Sequence, residues 1–131
     1  MKYLIDSDFL FGLFVAHDPR HKKTTSLLKS LAGKEHELVV SNLVVQETAT
    51  VLSRKGNQGT AIFFLSELSK MPVEVLYIGE DDENSGWQIF KKQTKKGTSF
   101  VDCANLAVAE KYKLDGILSF DKFYPKNVRI V

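Results

Sequence analysis

Four carboxylates, far apart in the 131-residue sequence, stand at positions that favour a shared metal site. Asp6 directly follows the apolar run 3–5, and Asp121 follows the apolar stretch 116–120. Each therefore stands just past the carboxyl end of a predicted β-strand. Ligands of open α/β sheets bind at this edge, so Asp6 and Asp121 would face one crevice if their strands are parallel neighbours.

Glu47 and Asp102 fall in predicted helices. Glu47 shares a helical face with Val44 and Val51, so its carboxylate would lose hydration unless a cation, a hydrogen-bond donor or a metal pairs with it. A salt bridge at the border of this apolar stripe is the structural alternative. Asp102 follows Ser99 by three residues and could complete a capping box, with Asp in the place usual for Glu or Gln. The small, apolar helix after it would bring Asp102 near the sheet edge.

Four carboxylates in one crevice need a compensating charge. Two unit charges about 4 Å apart repel by about 4 kcal/mol when the effective dielectric constant is about 20. Either several of these groups are protonated, or a divalent cation binds between them. Oxygen ligands without thiolates or clustered imidazoles favour Mg²⁺ or Mn²⁺. Such ions lower the pKa of a bound water and orient it for in-line attack on a phosphate.

The elements that would position these residues alternate between strand and helix. Apolar runs typical of strands lie at 3–5, 38–40, 73–78, 116–119 and 128–131. Helices are predicted from Asp18 to near Gly33, from Ser41 toward Lys55, from Asn57 to Lys70, from Asp81 to about Lys96, and from Ser99 onward. Because parallel strands need helical crossovers, we expect a three-layer α/β/α fold with a central, mostly parallel, five-stranded sheet. Residues 1–131 are expected to form one domain.

Composition limits the setting and the partners. A single cysteine, Cys103, excludes a disulfide framework and a thiolate zinc site, and it is predicted to be a small core residue. Asp6 and Asp8 precede the short apolar run 9–16, which therefore suits neither a signal peptide nor a bilayer span, so we expect a cytoplasmic protein without membrane contact. The net charge of +2 does not demand a polyanion, but paired lysines permit nucleic acid: Lys22/Lys23, Lys91/Lys92 and Lys95/Lys96.

Other chemically suggestive residues have structural interpretations. The acidic run 80–83 is predicted to be negative charge at a helix N-terminus, favourable with the macrodipole. His17 and His21 lack an intervening Glu and are separated by Pro19, so we expect exposed loop or helix-edge residues rather than zinc ligands. Several aromatic side chains fit core or subunit contacts better than base stacking, and their number suggests a homodimer or a bound partner segment: Phe9, Phe11, Phe14, Phe63 and Phe64.

Taken in order, the four acidic residues and their surroundings resemble the PIN-domain nucleases, and within them the VapC-like toxins of bacterial and archaeal toxin–antitoxin pairs. The resemblance covers nearly the whole chain. It is carried by YLIDSDFL at 3–10, SNLVVQE at 41–47, FVDCANLA at 100–107 and SFDKF at 119–123. Each fragment is a weak signal alone, but all four in register over a chain of this length are fairly specific.

The resemblance implies a sheet ordered 3-2-1-4-5 and endonucleolytic cleavage of RNA with Mg²⁺ or Mn²⁺. By position, Asp6 and Asp102 would be the principal metal ligands. Glu47 and Asp121 would complete the metal site directly or through water, and Ser119 would orient a ligand or a phosphate.

Asp8 departs from the family pattern, in which this position is commonly Asn or Ser. It adds negative charge near the implied metal. Asp8 could be a further ligand or could cap a helix that begins at Phe9, and we favour the cap.

The functional hypothesis is a Mg²⁺- or Mn²⁺-dependent endoribonuclease that acts as a toxin, with a small antitoxin as partner. A PIN-fold nuclease of RNA processing is one alternative. The segment LIDSD also resembles haloacid-dehalogenase-like phosphatases, with Asp6 as nucleophile and Asp8 as general acid, but the later lysine and paired aspartates of that family have no match and Glu47 stays unexplained. A non-catalytic RNA- or protein-binding module is the third alternative, and it would retain its affinity in a chelator.

Overall fold

Five strands form one parallel sheet in the order β3-β2-β1-β4-β5. The computed structural model describes residues 1–32 and 35–130. The strands are β1 (Lys2–Ile5), β2 (Glu37–Ser41), β3 (Val73–Leu76), β4 (Gly116–Leu118) and β5 (Arg129–Ile130). The helices are α1 (Ser7–Phe14), α2 (His21–Leu31), α3 (Asn42–Lys55), α4 (Gln58–Lys70), α5 (Glu80–Lys91) and α6 (Phe100–Lys111). The sheet order and the parallel α/β architecture implied by the sequence are confirmed.

Alternate residues of the central strands feed two hydrophobic clusters, one on each face of the sheet. Tyr3 and Ile5 pack with side chains of α1, α3 and α4, whereas Leu4 packs with Ala109 of α6 and with Tyr124. Side chains of successive strand residues point to opposite faces, which explains this division. Every residue of β4 is buried, as expected for a strand covered on both sides. Helices on both faces produce the three layers.

Several element boundaries differ from those predicted. The first long helix begins at His21 instead of Asp18, because the Asp18 carboxylate accepts the backbone N–H of Arg20 in a turn before α2. Gly33, the predicted end of that helix, lies outside the described residues. Helix α5 ends at Lys91 instead of about Lys96, and Gly97 with φ +84° makes the turn into α6. Strands β3 and β5 are shorter than their apolar runs, and Val131 lies outside the described residues.

The predicted helix starts at Ser41 and Asn57 are confirmed. Ser41 Oγ accepts the backbone N–H of Val44 at 3.1 Å, and Asn57 Oδ1 accepts that of Thr60 at 2.8 Å. Both side chains satisfy N–H groups that the first helical turn leaves without intrahelical partners. Within residues 1–32 and 35–130, no helix combines the length and the apolar character needed to cross a membrane.

Candidate active site

Asp6 and Asp121 lie at the same edge of the sheet because β1 and β4 are adjacent and parallel. Ile5 pairs with Leu118 in the register of these strands, and the backbone N–H of Asp6 donates to the Leu118 carbonyl at 3.1 Å. The strand adjacency that the sequence left as a condition is confirmed. The crevice at this edge is where the other candidate residues gather.

Asp6 is the most deeply buried carboxylate, with 2% of its surface exposed. Its oxygens accept hydrogen bonds from Ser7 N at 2.8 Å, Asn105 Nδ2 at 3.2 Å and Ser119 Oγ at 2.8 Å. Burial, and next the charge of Asp8, raise the pKa of Asp6 to about 7 in spite of these donors. Asp6 is therefore a carboxyl group whose ionised form needs a nearby positive charge.

The prediction that Asp8 caps the first helix is wrong. Helix α1 begins at Ser7, and its N-cap is Asp6, which has extended dihedral angles and accepts the Ser7 N–H. Phe9, the expected first helical residue, lies inside the first turn. The apolar periodicity begins at Phe9, so the sequence placed the helix start two residues too late.

Asp8 instead joins α1 to the loop after β4. Its Oδ2 accepts the backbone N–H of Phe120 at 3.0 Å and lies 4.0 Å from Nη1 of Arg20. Burial raises the pKa of Asp8 from its ordinary value, while the Phe120 N–H opposes that change. Asp8 thus adds charge beside Asp6 and fixes the loop that carries Ser119.

Glu47 has the hydrogen-bond donor that its place on an apolar helical face demanded. The Ser7 hydroxyl donates to the Glu47 carboxylate, which is half-buried on α3. Among the described residues, no Lys or Arg forms a salt bridge with Glu47, so the salt-bridge alternative is not what the structure shows. Ser7 directly follows Asp6, and the charge of Glu47 contributes to the raised pKa of Asp6.

Asp102 shares only half of a capping box with Ser99. Ser99 Oγ accepts the backbone N–H of Asp102 at 3.5 Å, and Asp102 Oδ1 accepts the hydroxyl of Tyr124 at 3.1 Å. Burial, followed by the charges of Asp6 and Asp121, raises the pKa of Asp102 to about 8. The Asp102 carboxylate therefore belongs to the acidic crevice, and Ser99 alone caps α6.

Asn105 and Tyr124 connect the two principal carboxylates, and the sequence analysis missed both. The Asn105 amide nitrogen donates to Asp6 and to the Tyr124 hydroxyl, at 3.2 Å and 3.1 Å. The hydroxyl donates onward to Asp102. Asn105 is 0% and Tyr124 1% exposed, so water does not compete for these bonds. The available signal was an amide one helical turn after Asp102 in a run of small, apolar residues.

Ser119 lies between Asp6 and the loop that carries Asp121. A hydroxyl has one proton, and the shortest contact assigns it to Asp6 Oδ2 at 2.8 Å, while Ser119 Oγ accepts the Asp121 N–H at 3.0 Å. Asp121 Oδ1 accepts the backbone N–H of Phe123 at 2.9 Å, so its second oxygen is the freer one. Ser119 therefore hydrogen-bonds two of the candidate acidic residues.

The residues given structural interpretations behave largely as expected. The acidic run forms the first turn of α5, where Asp82 also pairs with Lys111 at 2.8 Å. His17 is exposed, and His21 contacts the carbonyl of Gly12 at the start of α2. Cys103 is fully buried. Phe9 and Phe64 are core residues, but Phe63 is 57% exposed.

The donor set of the crevice fits a magnesium-like ion held by few protein ligands. Within the described residues, no three acidic, histidine or cysteine side chains already form a metal-binding cluster. The four candidate carboxylates therefore do not all converge on one metal position. Mg²⁺ needs only one or two carboxylates and keeps several waters. Asp6 and Asp102 could hold such an ion, because both are joined to the same Asn105–Tyr124 hydrogen-bond chain and both have raised pKa values.

A family model matches almost the whole of this chain. The family model of the PIN domain matches residues 3–127. The chain belongs to the PIN domain family. This match covers all four candidate carboxylates and favours the nuclease hypothesis over the phosphatase alternative.

Curated relatives of this PIN domain are ribonucleases from Mycobacterium tuberculosis. It is 28% identical over 117 residues to the 23S rRNA-specific endonuclease VapC20, covering 89% of this chain and 87% of the relative. It is 26% identical over 119 residues to ribonuclease VapC26, covering 91% and 86%. These alignments span almost the full length of each relative.

Solved structures confirm the PIN fold. The crystal structure of VapC20, described as a Sarcin-Ricin loop cleaving toxin, superposes with a TM-score of 0.82 at 27% identity, covering 91% of this chain and 89% of that one. VapBC2 from Rickettsia felis, bound to a DNA fragment from its promoter, gives a TM-score of 0.74 at 14% identity with 99% and 98% coverage. At that identity, the second likeness shows the fold alone.

Proposed function

We propose that this PIN domain is a Mg²⁺- or Mn²⁺-dependent endoribonuclease of the toxin type, and that Asp6, Glu47, Asp102 and Asp121 form its active site. The observation that carries the proposal is the pair of buried carboxylates, Asp6 and Asp102, held by one hydrogen-bond chain at the ligand-binding edge of the sheet. The relatives VapC20 and VapC26 are named as an rRNA endonuclease and a ribonuclease, which supports RNA as the substrate.

Asp6 and Asp102 would hold the ion, with Asp121 and Glu47 acting on it directly or through water. When bound, a divalent ion promotes attack of water on phosphorus and offsets charge on the leaving oxygen. Ser119 holds Asp6 and the Asp121 loop in register, and the Ser7 hydroxyl holds Glu47. Tyr124 and Asn105 fix Asp102 and Asp6 without adding charge, so the carboxylates keep their full attraction for a cation.

A small antitoxin and a second copy of the chain are the proposed protein partners. Helix α4 exposes Ile62, Phe63 and Leu65, with 58%, 57% and 46% of their surfaces accessible. Three large apolar side chains exposed on one helix support a surface that contacts another protein. The toxin designation of VapC20 supports an antitoxin, and action on cellular RNA supports a cytoplasmic site of action.

Cleavage of RNA with and without metal tests the enzymatic proposal. Purified protein would be incubated with total RNA in Mn²⁺, in Mg²⁺ and in EDTA. We expect cutting only with metal, and loss of at least a hundredfold in Asp102→Asn, because that change removes a ligand charge but keeps the side-chain shape. Asp81→Asn, an exposed acidic residue on α5, is the matched control and should cleave normally. Cutting in EDTA, or full activity in Asp102→Asn, contradicts the proposal.

Two further outcomes separate the alternatives. A folded binding module would retain its RNA affinity in EDTA and would not cleave RNA in Mn²⁺ or in Mg²⁺. Growth arrest on expression in a bacterial host, relieved by the adjacent reading frame, tests the toxin role independently of the chemistry. A nuclease that cuts RNA but does not arrest growth would favour a role in RNA processing.

A further inference from the structure

A cavity of about 330 Å³ opens beside two of the candidate acidic residues. Asp102 and Asp121 line it together with residues of the loop between α5 and α6. That loop contributes Lys95 and Lys96, and Lys122 adds a third ammonium group. A cavity lined by both carboxylates and lysines can bind an anionic group through the lysines while a cation is held by the carboxylates.

The structure separates three lysine pairs that the sequence could not rank. Lys95 and Lys96 line this cavity next to the acidic edge. Lys91 and Lys92 stand at the end of α5 and do not line it. The pair Lys22/Lys23 lies on α2, where Lys23 is 5.7 Å from the Phe120 ring.

Arg20, a basic residue near Asp8, is already engaged. Arg20 lies 4.0 Å from the Asp8 carboxylate, and its guanidinium stacks 4.8 Å from the Phe120 ring centre. Its charge is therefore partly offset by Asp8. The three cavity lysines have no salt bridge among the described residues, so their charge is available to a ligand.

We propose that this cavity is the subsite for an RNA phosphate that flanks the cleaved bond, with Lys95, Lys96 and Lys122 as its ligands. The inference rests on the proposed nuclease function. RNA approaching Asp102 and Asp121 meets like charge, and the lysines supply the opposing attraction at the same opening. Exposed lysines bind phosphates as point charges without requiring a fixed base sequence, so the subsite contributes affinity and register rather than base recognition.

Loop structure keeps these lysines beside the acidic residues. The Thr98 hydroxyl donates to the Lys95 carbonyl at 2.8 Å, and Gly97 adopts φ +84° in the turn between them. Ser99 then caps α6, which carries Asp102 in its first turn. The lysines and the principal carboxylate are thus joined by a short, hydrogen-bonded segment.

Salt-dependent binding of RNA tests the subsite. The probe is a fluorescein-labelled single-stranded RNA of about 12 nucleotides, titrated in EDTA so that it stays intact. The variant Lys95→Gln/Lys96→Gln/Lys122→Gln should lower the slope of log affinity against log salt by about 0.7, the contribution of one phosphate of single-stranded nucleic acid. The corresponding triple substitution to Arg keeps the charge and should retain the wild-type slope.

The control triple removes equal charge outside the cavity: Lys91→Gln/Lys92→Gln/Lys126→Gln, all exposed positions. Its slope should stay near that of the wild type. Equal losses in the two Gln triples, or none in the cavity triple, overturn the subsite. In cleavage assays the cavity triple should raise KM at least tenfold with kcat nearly unchanged.

The two proposals can fail separately. If the wild-type protein binds RNA through the cavity lysines but does not cut it in Mn²⁺ or in Mg²⁺, the subsite stands and the nuclease function is overturned. If the wild-type protein cleaves RNA and the cavity triple has the same KM as the wild type, the nuclease function stands and the subsite is overturned. Absence of both binding and cleavage by folded wild-type protein overturns both.

Discussion

At the scale of single residues, neutral side chains hold the charged ones in the crevice. Asp6 accepts three hydrogen bonds and Asp102 accepts one from a tyrosine, but none of these donors is cationic. The raised pKa values of both carboxyl groups show that these donors do not offset the cost of burial and mutual repulsion. The site is therefore preorganised in geometry and deficient in positive charge.

Replacing Tyr124 by Phe tests the hydrogen-bond chain. The ring volume stays, but Asp102 loses its donor and Asn105 loses one acceptor. We expect Mn²⁺ affinity to fall about tenfold, as for other residues that orient metal ligands, with a stability loss of about 1 kcal/mol. Titration of Mn²⁺ by electron paramagnetic resonance measures the affinity without relying on cleavage. Tyr112→Phe, at an exposed tyrosine, is the control, and unchanged Mn²⁺ affinity in Tyr124→Phe would rule out the positioning role.

The pKa values predict how stability depends on pH in the metal-free protein. Because the pKa of Asp6 is about 7 in the folded protein and near 4 when unfolded, the folded state binds the proton more tightly between these values. Stability should therefore be highest in mild acid and fall as the pH rises toward neutrality, by up to about 1.4 kcal/mol per pH unit for this one group. Asp102, with a pKa of about 8, extends the pH range over which stability falls to higher pH.

Urea unfolding in EDTA at several pH values measures this dependence. Asp6→Asn should flatten the profile, and Mn²⁺ should restore stability mainly at the alkaline end, where the carboxylates are ionised. A profile that rises steadily from acid to neutral pH in the wild type would contradict the raised pKa values.

At the scale of the elements, the sequence predicted those strand ends and helix caps that depend on only a few neighbouring residues. The end of β1 before Asp6 was readable because an apolar run stops there, whereas β4 ends at Leu118, three residues before Asp121. The caps at Ser41 and Asn57 were readable because cap chemistry is contained within four residues. The role of Asp102 was ambiguous, since the same residue suits a capping box and a site.

What the sequence could not predict depends on contacts between distant segments. Asp8 binds a backbone N–H 112 residues away, and Asn105 and Asp6 are 99 residues apart. Tyr124 contributes from a loop whose path was unknown until β4 and β5 were placed. Strand-end positions and the family resemblance linked the acidic residues beforehand, but neither gave a role to Asn105 or Tyr124.

Close packing of α5 on α6 provides a test at this scale. A Cβ at Gly86 would lie 3.2 Å from the Ala104 Cα and 3.1 Å from the Phe100 ring, and a backbone atom cannot move cheaply. We expect Gly86→Ala to cost about 1 kcal/mol or more despite the better helix propensity of Ala. Ser85→Ala, exposed on the same helix, should be neutral or slightly stabilising. If Gly86→Ala were more stable than the wild type in urea unfolding, α6 would have to shift at little energetic cost.

At the scale of the whole molecule, exposed apolar groups predict self-association. Phe63 and its neighbours Ile62 and Leu65 stand in solvent on α4, while Phe64 is buried in the core. Phe63→Ser/Leu65→Ser should shift a dimer toward monomer in sedimentation equilibrium without loss of stability. Ser66→Ala, at an exposed position on the same helix, is the control. A wild-type chain that sediments as a monomer at every concentration would contradict the homodimer proposal.

The adjacency of β1 and β4 has a consequence for the order in which the protein is made. Asp6 leaves the ribosome near the beginning of synthesis, but its partners Asn105 and Ser119 follow only after some hundred residues. A nascent chain that ends before β4 has neither the strand that completes this sheet edge nor the loop that carries Tyr124. Under the proposed function, catalytic competence is delayed until most of the chain has been translated, and the nuclease stays inactive while its own message is still being read.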